Sequence, residues 1–205
     1  MATDPSSFYL GNPNLKKVGT DINFTKEQIQ EYLKCKEDPV YFAKNYIKII
    51  SLDEGIVPFK MWDFQEELIE KFHEHRFNIA KLPRQTGKST TCVSYLLHYA
   101  LFNDNVNIGI LANKLSTARD LLGRLQLAYE QLPLWLQQGI VVYNKGSMEL
   151  ENGSKILAAS TLLVQSEVCL STLFFWMSLP LYLITLLKHS SVQYILLSLL
   201  VPRRK

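Results

Sequence analysis

The chain has 205 residues, a net charge of +3 and 47% apolar residues, enough for one ordinary domain with a buried core and too balanced for a disordered chain. Its charge is mildly basic without a dense Lys/Arg stripe, which permits contact with nucleic acid and does not by itself argue for it. Three widely separated cysteines, Cys35, Cys92 and Cys169, lack metal-ligand spacing and read as free thiols, and the polar start Met1–Asn14 is no secretory signal.

In chain order, residues 1–24 are polar, carry scattered Gly and Pro, and are expected to form a loose arm. Thr25 with Gln28 fits a capping box for a helix running to about Lys36. Asp38-Pro39 reads as an N-cap with proline at the first helical position, opening a second helix through Tyr46. Ile47–Pro58 is a connector with strand-like apolar residues, and Asp63 is expected to cap a third helix whose apolar face is Phe64, Leu68, Ile69 and Phe72. Phe77–Leu82 suits a short buried strand, Pro83–Gly87 a turn, and Lys88–Phe102 a helix. Val106–Ala112 reads as a strand and Ser116–Gln131 as an amphipathic helix ended by Pro133. Strand, helix, strand, helix implies an α/β sheet with parallel strands. Met148–Glu151 and Ser154–Ala158, joined by Asn152-Gly153, are expected to form a hairpin with a two-residue turn.

The chemistry sits in the turn after the first strand of that series. Gly87-Lys88-Ser89, between a strand and an apolar helix, occupies the place of a phosphate-binding loop, where helix N-terminal amides and the helix dipole favour anionic oxygens. Lys88 is the candidate for the β- and γ-phosphates of ATP and Ser89 for Mg²⁺, with Gln85, Thr86, Gly87 and Thr90 completing the loop. Leu82 stands where the usual pattern has its first glycine. A guanidinium at Arg84 can reach the γ-phosphate and stabilise charge that develops during hydrolysis, so Arg84 and Lys88 are the candidate catalytic pair.

Arg84-Gln85-Thr86-Gly87-Lys88-Ser89, followed by Ile108-Gly109-Ile110-Leu111-Ala112-Asn113-Lys114, resembles the large terminase subunit of myovirus-type tailed phages. Leu132-Pro133, Gly139-Ile140-Val141, Asn144-Lys145-Gly146-Ser147 and Glu149-Leu150-Glu151-Asn152-Gly153-Ser154 look like the same family, in family order, and the similarity spans about residues 38–161. The resemblance implies a RecA-like P-loop NTPase whose deviant loop carries the Arg-Gln pair. It also implies an ATPase that drives double-stranded DNA into a procapsid in the host cytoplasm, as a ring on the portal with a small terminase subunit. A nuclease domain would follow. Gln65, in Trp62-Asp63-Phe64-Gln65, would belong to an adenine-reading motif. A helicase-type ATPase shares the strand, loop and helix, and is the enzymatic alternative.

The chain thus divides into an arm and first helix (1–37), an ATPase portion (38–161) and an apolar tail (162–205). A P-loop ATPase needs a carboxylate at the end of an apolar strand to hold Mg²⁺ and a neighbour to activate water. Leu173–Leu187 contains no Asp or Glu. The uncharged run 170–187 reads either as a membrane anchor interrupted by Pro180 or as a frameshifted product. Reading one base earlier, the codons of Phe175-Trp176-Met177, with an AG-type codon at Ser178, spell Leu-Asp-Glu, and Val164–Val168 can read Ala-Val-Arg-Gly-Met. The expectation is therefore a one-base loss near Thr161, an out-of-frame tail without a native fold, and a sheet truncated before its remaining strands.

Overall fold

A computed structural model describes residues 8–51, 53–75, 77–83 and 85–160, together with the backbone of Leu173–Ser178 and Leu183–Lys188. Helix α1 (Lys26–Glu37) starts at the expected capping box, with Thr25 Oγ1 accepting from Gln28 N at 3.2 Å and Gln28 Oε1 from Thr25 N at 3.0 Å. Helix α2 (Pro39–Tyr46) begins one residue beyond Asp38, whose Oδ1 accepts from Val40 N and Tyr41 N. The connector folds as an antiparallel hairpin, β1 (Lys48–Ser51) with β2 (Gly55–Pro58).

Helix α3 (Asp63–Glu74) corrects one boundary: its N-cap is Trp62, and Asp63 is already the first helical residue. Gln65 supplies the reciprocal bond of a capping box, its Oε1 accepting from Trp62 N at 3.0 Å. Strand β3 (Phe77–Lys81), helix α4 (Lys88–Phe102), strand β4 (Asn107–Ala112) and helix α5 (Leu115–Glu130) follow within a residue or so of their expected bounds. Helix α4 is buried almost all round from Thr91 to Phe102, so it is the core helix of the molecule rather than an amphipathic one.

Strands β5 (Ile140–Tyr143), β6 (Ser147–Leu150) and β7 (Lys155–Ser160) complete a mixed four-stranded sheet with β4, in the order β4-β7-β6-β5. The fold is α/β as expected. The sheet is mixed rather than parallel, because β6 and β5 return by short antiparallel connections while β4 and β7 are parallel. The expected truncation is also corrected: β8 (Leu173–Ser178) pairs parallel to β4, and β9 (Leu183–Lys188) lies antiparallel between β8 and β3, extending the order to β3-β9-β8-β4-β7-β6-β5. An apolar segment of strand length finds the unpaired edges of β3 and β4 and satisfies their backbone groups. Among the described residues no helix is long and apolar enough to cross a membrane, and much of 170–187 runs as these two strands.

Two further corrections concern loops. Glu151–Ser154 connect β6 to β7; Leu150 N donates to Ser154 O at 2.9 Å, so the loop proper is three residues, Glu151-Asn152-Gly153, in which Gly153 takes φ +78° and Gly153 N donates to Leu150 O at 3.0 Å. The two-residue primed turn loses because Asn152 is held from outside: its Nδ2 donates to Ala100 O and Asn103 O, tying the hairpin to the end of α4. The arm, from Phe8 onward, is docked rather than loose. Leu15 is buried, and Gln137, itself buried, accepts from Lys16 N and donates to Asn14 O. Gly19 N donates to Glu151 Oε1 at 2.9 Å, and Lys17 forms a parallel bridge with Ile140 on the edge strand.

Candidate nucleotide-binding site

The site begins where β3 leaves the sheet and the chain must reverse into α4 within a few residues. Two left-handed residues make that reversal, Gln85 at φ +60° and Gly87 at φ +69°, and Gly87 is the N-cap of α4. Glycine suits its position twice over. The backbone conformation disfavours a side chain, and a Cβ there would fall 2.5 Å from Gln65 Nε2. Helix α4 follows with fifteen residues of aligned peptides, and its first-turn amides have no intrahelical acceptors.

Two side chains of the loop bond back onto its backbone. Lys88 Nζ donates to Pro83 O at 3.0 Å, and Thr86 Oγ1 donates to the same carbonyl at 3.1 Å. The ammonium thus lies back across the turn it follows. Thr91 Oγ1 donates to Gly87 O at 3.2 Å and secures the first turn of the helix from behind. Ser89 and Thr90 are half-buried on that turn. Arg84 lies outside the described residues.

Gln65 reaches the loop from α3. Only 3% exposed, it donates from Nε2 to Thr86 O at 3.0 Å while its Oε1 holds Trp62 N. The residue expected to read a base therefore spans two backbone groups, both of residues that line a cleft. That cleft, of about 330 Å³, is lined by Ile49, Phe59, Lys60, Trp62, Phe64 and Gln65 together with Gln85, Thr86, Gly87 and Thr90. Trp62 and Phe64 meet edge to face with ring centroids 6.3 Å apart.

Trp62 is not a core residue: it is 71% exposed at the cleft rim. Trp135 packs its ring edge to face with Tyr46, centroids 5.8 Å apart. A second cleft of about 340 Å³ shares Ile49 and Thr90 and opens between the β1–β2 hairpin, α4 and α5, with Lys48 and Arg124 among its lining residues.

Away from the loop, the titratable groups of the core are structural. His98 is buried, its Nε2 lies 2.8 Å from Cys35 O, and desolvation holds its pKa down at about 4. Burial pushes the Cys35 thiol up to about 12 and raises that of Cys92, and both are free cysteines. Cys169 lies outside the described residues. His73 and His75 are exposed, and among the described residues no group of three or more His, Cys, Asp or Glu side chains gathers to hold a metal ion. No protein-family model matches the chain.

Proposed function

We propose that this chain is the nucleotide-binding portion of a P-loop motor ATPase of the terminase large-subunit type. One observation carries the reading: β3 passes through a left-handed Gly87 into α4, with Lys88 folded across the turn onto Pro83 O. A triphosphate tail fits that arrangement, because it would exchange one carbonyl for several anionic oxygens around the ammonium and add the first-turn amides of α4. The cleft between Trp62 and Gly87 has room and apolar walls for a base next to the phosphates.

In this reading Lys88 holds the β- and γ-phosphates and Arg84 the γ-phosphate. Mg²⁺ enters with the nucleotide, held by the phosphate oxygens and the Ser89 hydroxyl, and neutralises their charge. The intact motor would move double-stranded DNA, together with a portal and a small subunit. The tail of this chain brings no carboxylate to the end of β8, since Leu173–Ser178 contains none. Turnover is therefore slow, well below about 1 s⁻¹, although binding survives. A one-base loss near Thr161 accounts for the missing Asp-Glu pair, and resequencing the gene across that junction checks it.

An azido-ATP photolabel tests the reading directly. Labelled peptides are expected from 59–65 and 83–90, with labelling suppressed by excess ATP and by Lys88→Ala. Labelling that falls elsewhere, or that ignores the lysine substitution, removes the assignment.

A further inference from the structure

Gln65 has a task at this site besides meeting a base, and the argument starts from the geometry of one peptide bond. Thr86 C=O and Gly87 N–H belong to the same planar trans unit, so they point in opposite directions. The bond from Gln65 Nε2 to Thr86 O, 3.0 Å long, draws that carbonyl toward α3 and thereby turns the Gly87 N–H away from it. Gly87 is where the chain enters α4, and the residue two before it is left-handed as well, so this peptide is the pivot of the turn.

Gln65 is itself immobilised. It is buried, and its other end is fixed by Trp62 N at 3.0 Å. The glycine completes the fit, because any Cβ at position 87 would occupy the space of the amide nitrogen.

We infer that Gln65 is a positioning residue for the phosphate loop: it sets the orientation of the Thr86–Gly87 peptide and so pre-forms the loop for a polyphosphate, with or without a base attached. The inference rests on the nucleotide-binding reading above and deepens it. A glutamine that only reads adenine contributes nothing to a ligand without a base. A glutamine that orients the loop contributes equally to both.

Inorganic tripolyphosphate separates the two. The full chain and its Gln65→Met variant, neutral and similar in length, are titrated with ATP and with tripolyphosphate, each with Mg²⁺, by calorimetry. The variant is expected to bind both ligands about tenfold more weakly, the scale of losing one buried hydrogen bond, with the ratio of the two affinities unchanged. Gln65→Asn keeps the amide but is one methylene too short to span both backbone partners. It is expected to show the same paired loss, and it serves where the methionine variant does not fold, as judged by circular dichroism. Wild-type affinity for tripolyphosphate in a folded variant, with ATP alone weakened, overturns the positioning role and leaves a base reader. Failure of the wild type to bind either ligand is a different result, which overturns the nucleotide reading and this inference with it.

Discussion

The docked arm and the β3–α4 loop are both irregular stretches of chain held by a buried glutamine, and the two glutamines are used differently. Gln137 has no N–H to spare: Oε1 accepts from Lys16 N, and Nε2 faces Asn14 O, Tyr129 O and Leu132 O. Gln65 makes two bonds, one from each end of its amide, and keeps one N–H in reserve at the wall of an open cleft. Both side chains are 3% exposed, so burial alone does not tell them apart. Remaining hydrogen-bond capacity does. An amide with no N–H to spare can only stabilise, whereas one with an N–H in reserve can also answer to a ligand.

The largest effect expected from this contrast is on the arm. Gln137→Leu strands Lys16 N and several carbonyls that the amide now serves, and should cost roughly 4 kcal/mol of unfolding free energy in urea titrations. Gln65→Met, with two backbone partners, should cost about half as much. If the two variants lose equal stability, the distinction between fully and partly used amide N–H groups fails.

Next in size is the tie between α1 and α4. His98 is neutral in the folded protein, so the unfolded chain binds a proton that the folded one refuses as pH falls. The stability present above pH 6.5 is lost progressively down to the folded value of about 4, a loss of roughly 3 kcal/mol. Carboxylates add their own slope in the same range, so the measurement is a difference between wild type and His98→Gln. The variant should lack that part of the pH dependence, and parallel curves would mean that the imidazole is not buried as described.

The arm has a second support at Gly139, where a Cβ would lie 2.8 Å from Val18 Cα and within reach of the Glu151 carboxylate. Gly139→Ala should cost about 2 kcal/mol, since backbone rather than a flexible side chain must give way. The loss should appear first as proteolytic cleavage within 8–24, before the core opens. Simultaneous loss of arm and core would make the arm an integral part of the fold.

These particulars show what the sequence could and could not carry. Local signals were legible: Thr25 with Gln28, Asp38-Pro39, and the limits of α4 and α5 depend on residues within one turn of each other. The docked arm was not, because Lys16 and its partner Gln137 are separated by 121 positions and nothing in the polar arm announces the pairing. The β6–β7 turn was misread for a related reason: Asn152-Gly153 favours a two-residue turn in isolation, and the bonds of Asn152 to the end of α4 decide otherwise. Sheet order failed at the tail, where apolar residues were taken to lie outside the sheet and β8 and β9 instead separate β3 from β4. At the site, the turn between β3 and α4 was legible from residue type and spacing, whereas Gln65 was singled out only by the family resemblance. The exposed rim position of Trp62 and the bond from Gln65 to Thr86 O required the fold.

The smallest expected effect is the sharpest on the loop itself. Gln85 is exposed and left-handed, a conformation that costs a non-glycine residue about 1 kcal/mol. Gln85→Gly relieves that strain in the folded state but enlarges the freedom of the unfolded chain by a similar amount. Net stability should therefore stay within about 0.5 kcal/mol of wild type by urea titration. Binding should move instead, because a glycine beside Thr86 frees one side of the turn that Gln65 holds from the other. A few-fold weaker affinity for tripolyphosphate at unchanged stability would place the cost of ordering in the loop. An affinity equal to that of the wild type would mean that the bond from Gln65 to Thr86 O is sufficient on its own to keep the turn in shape.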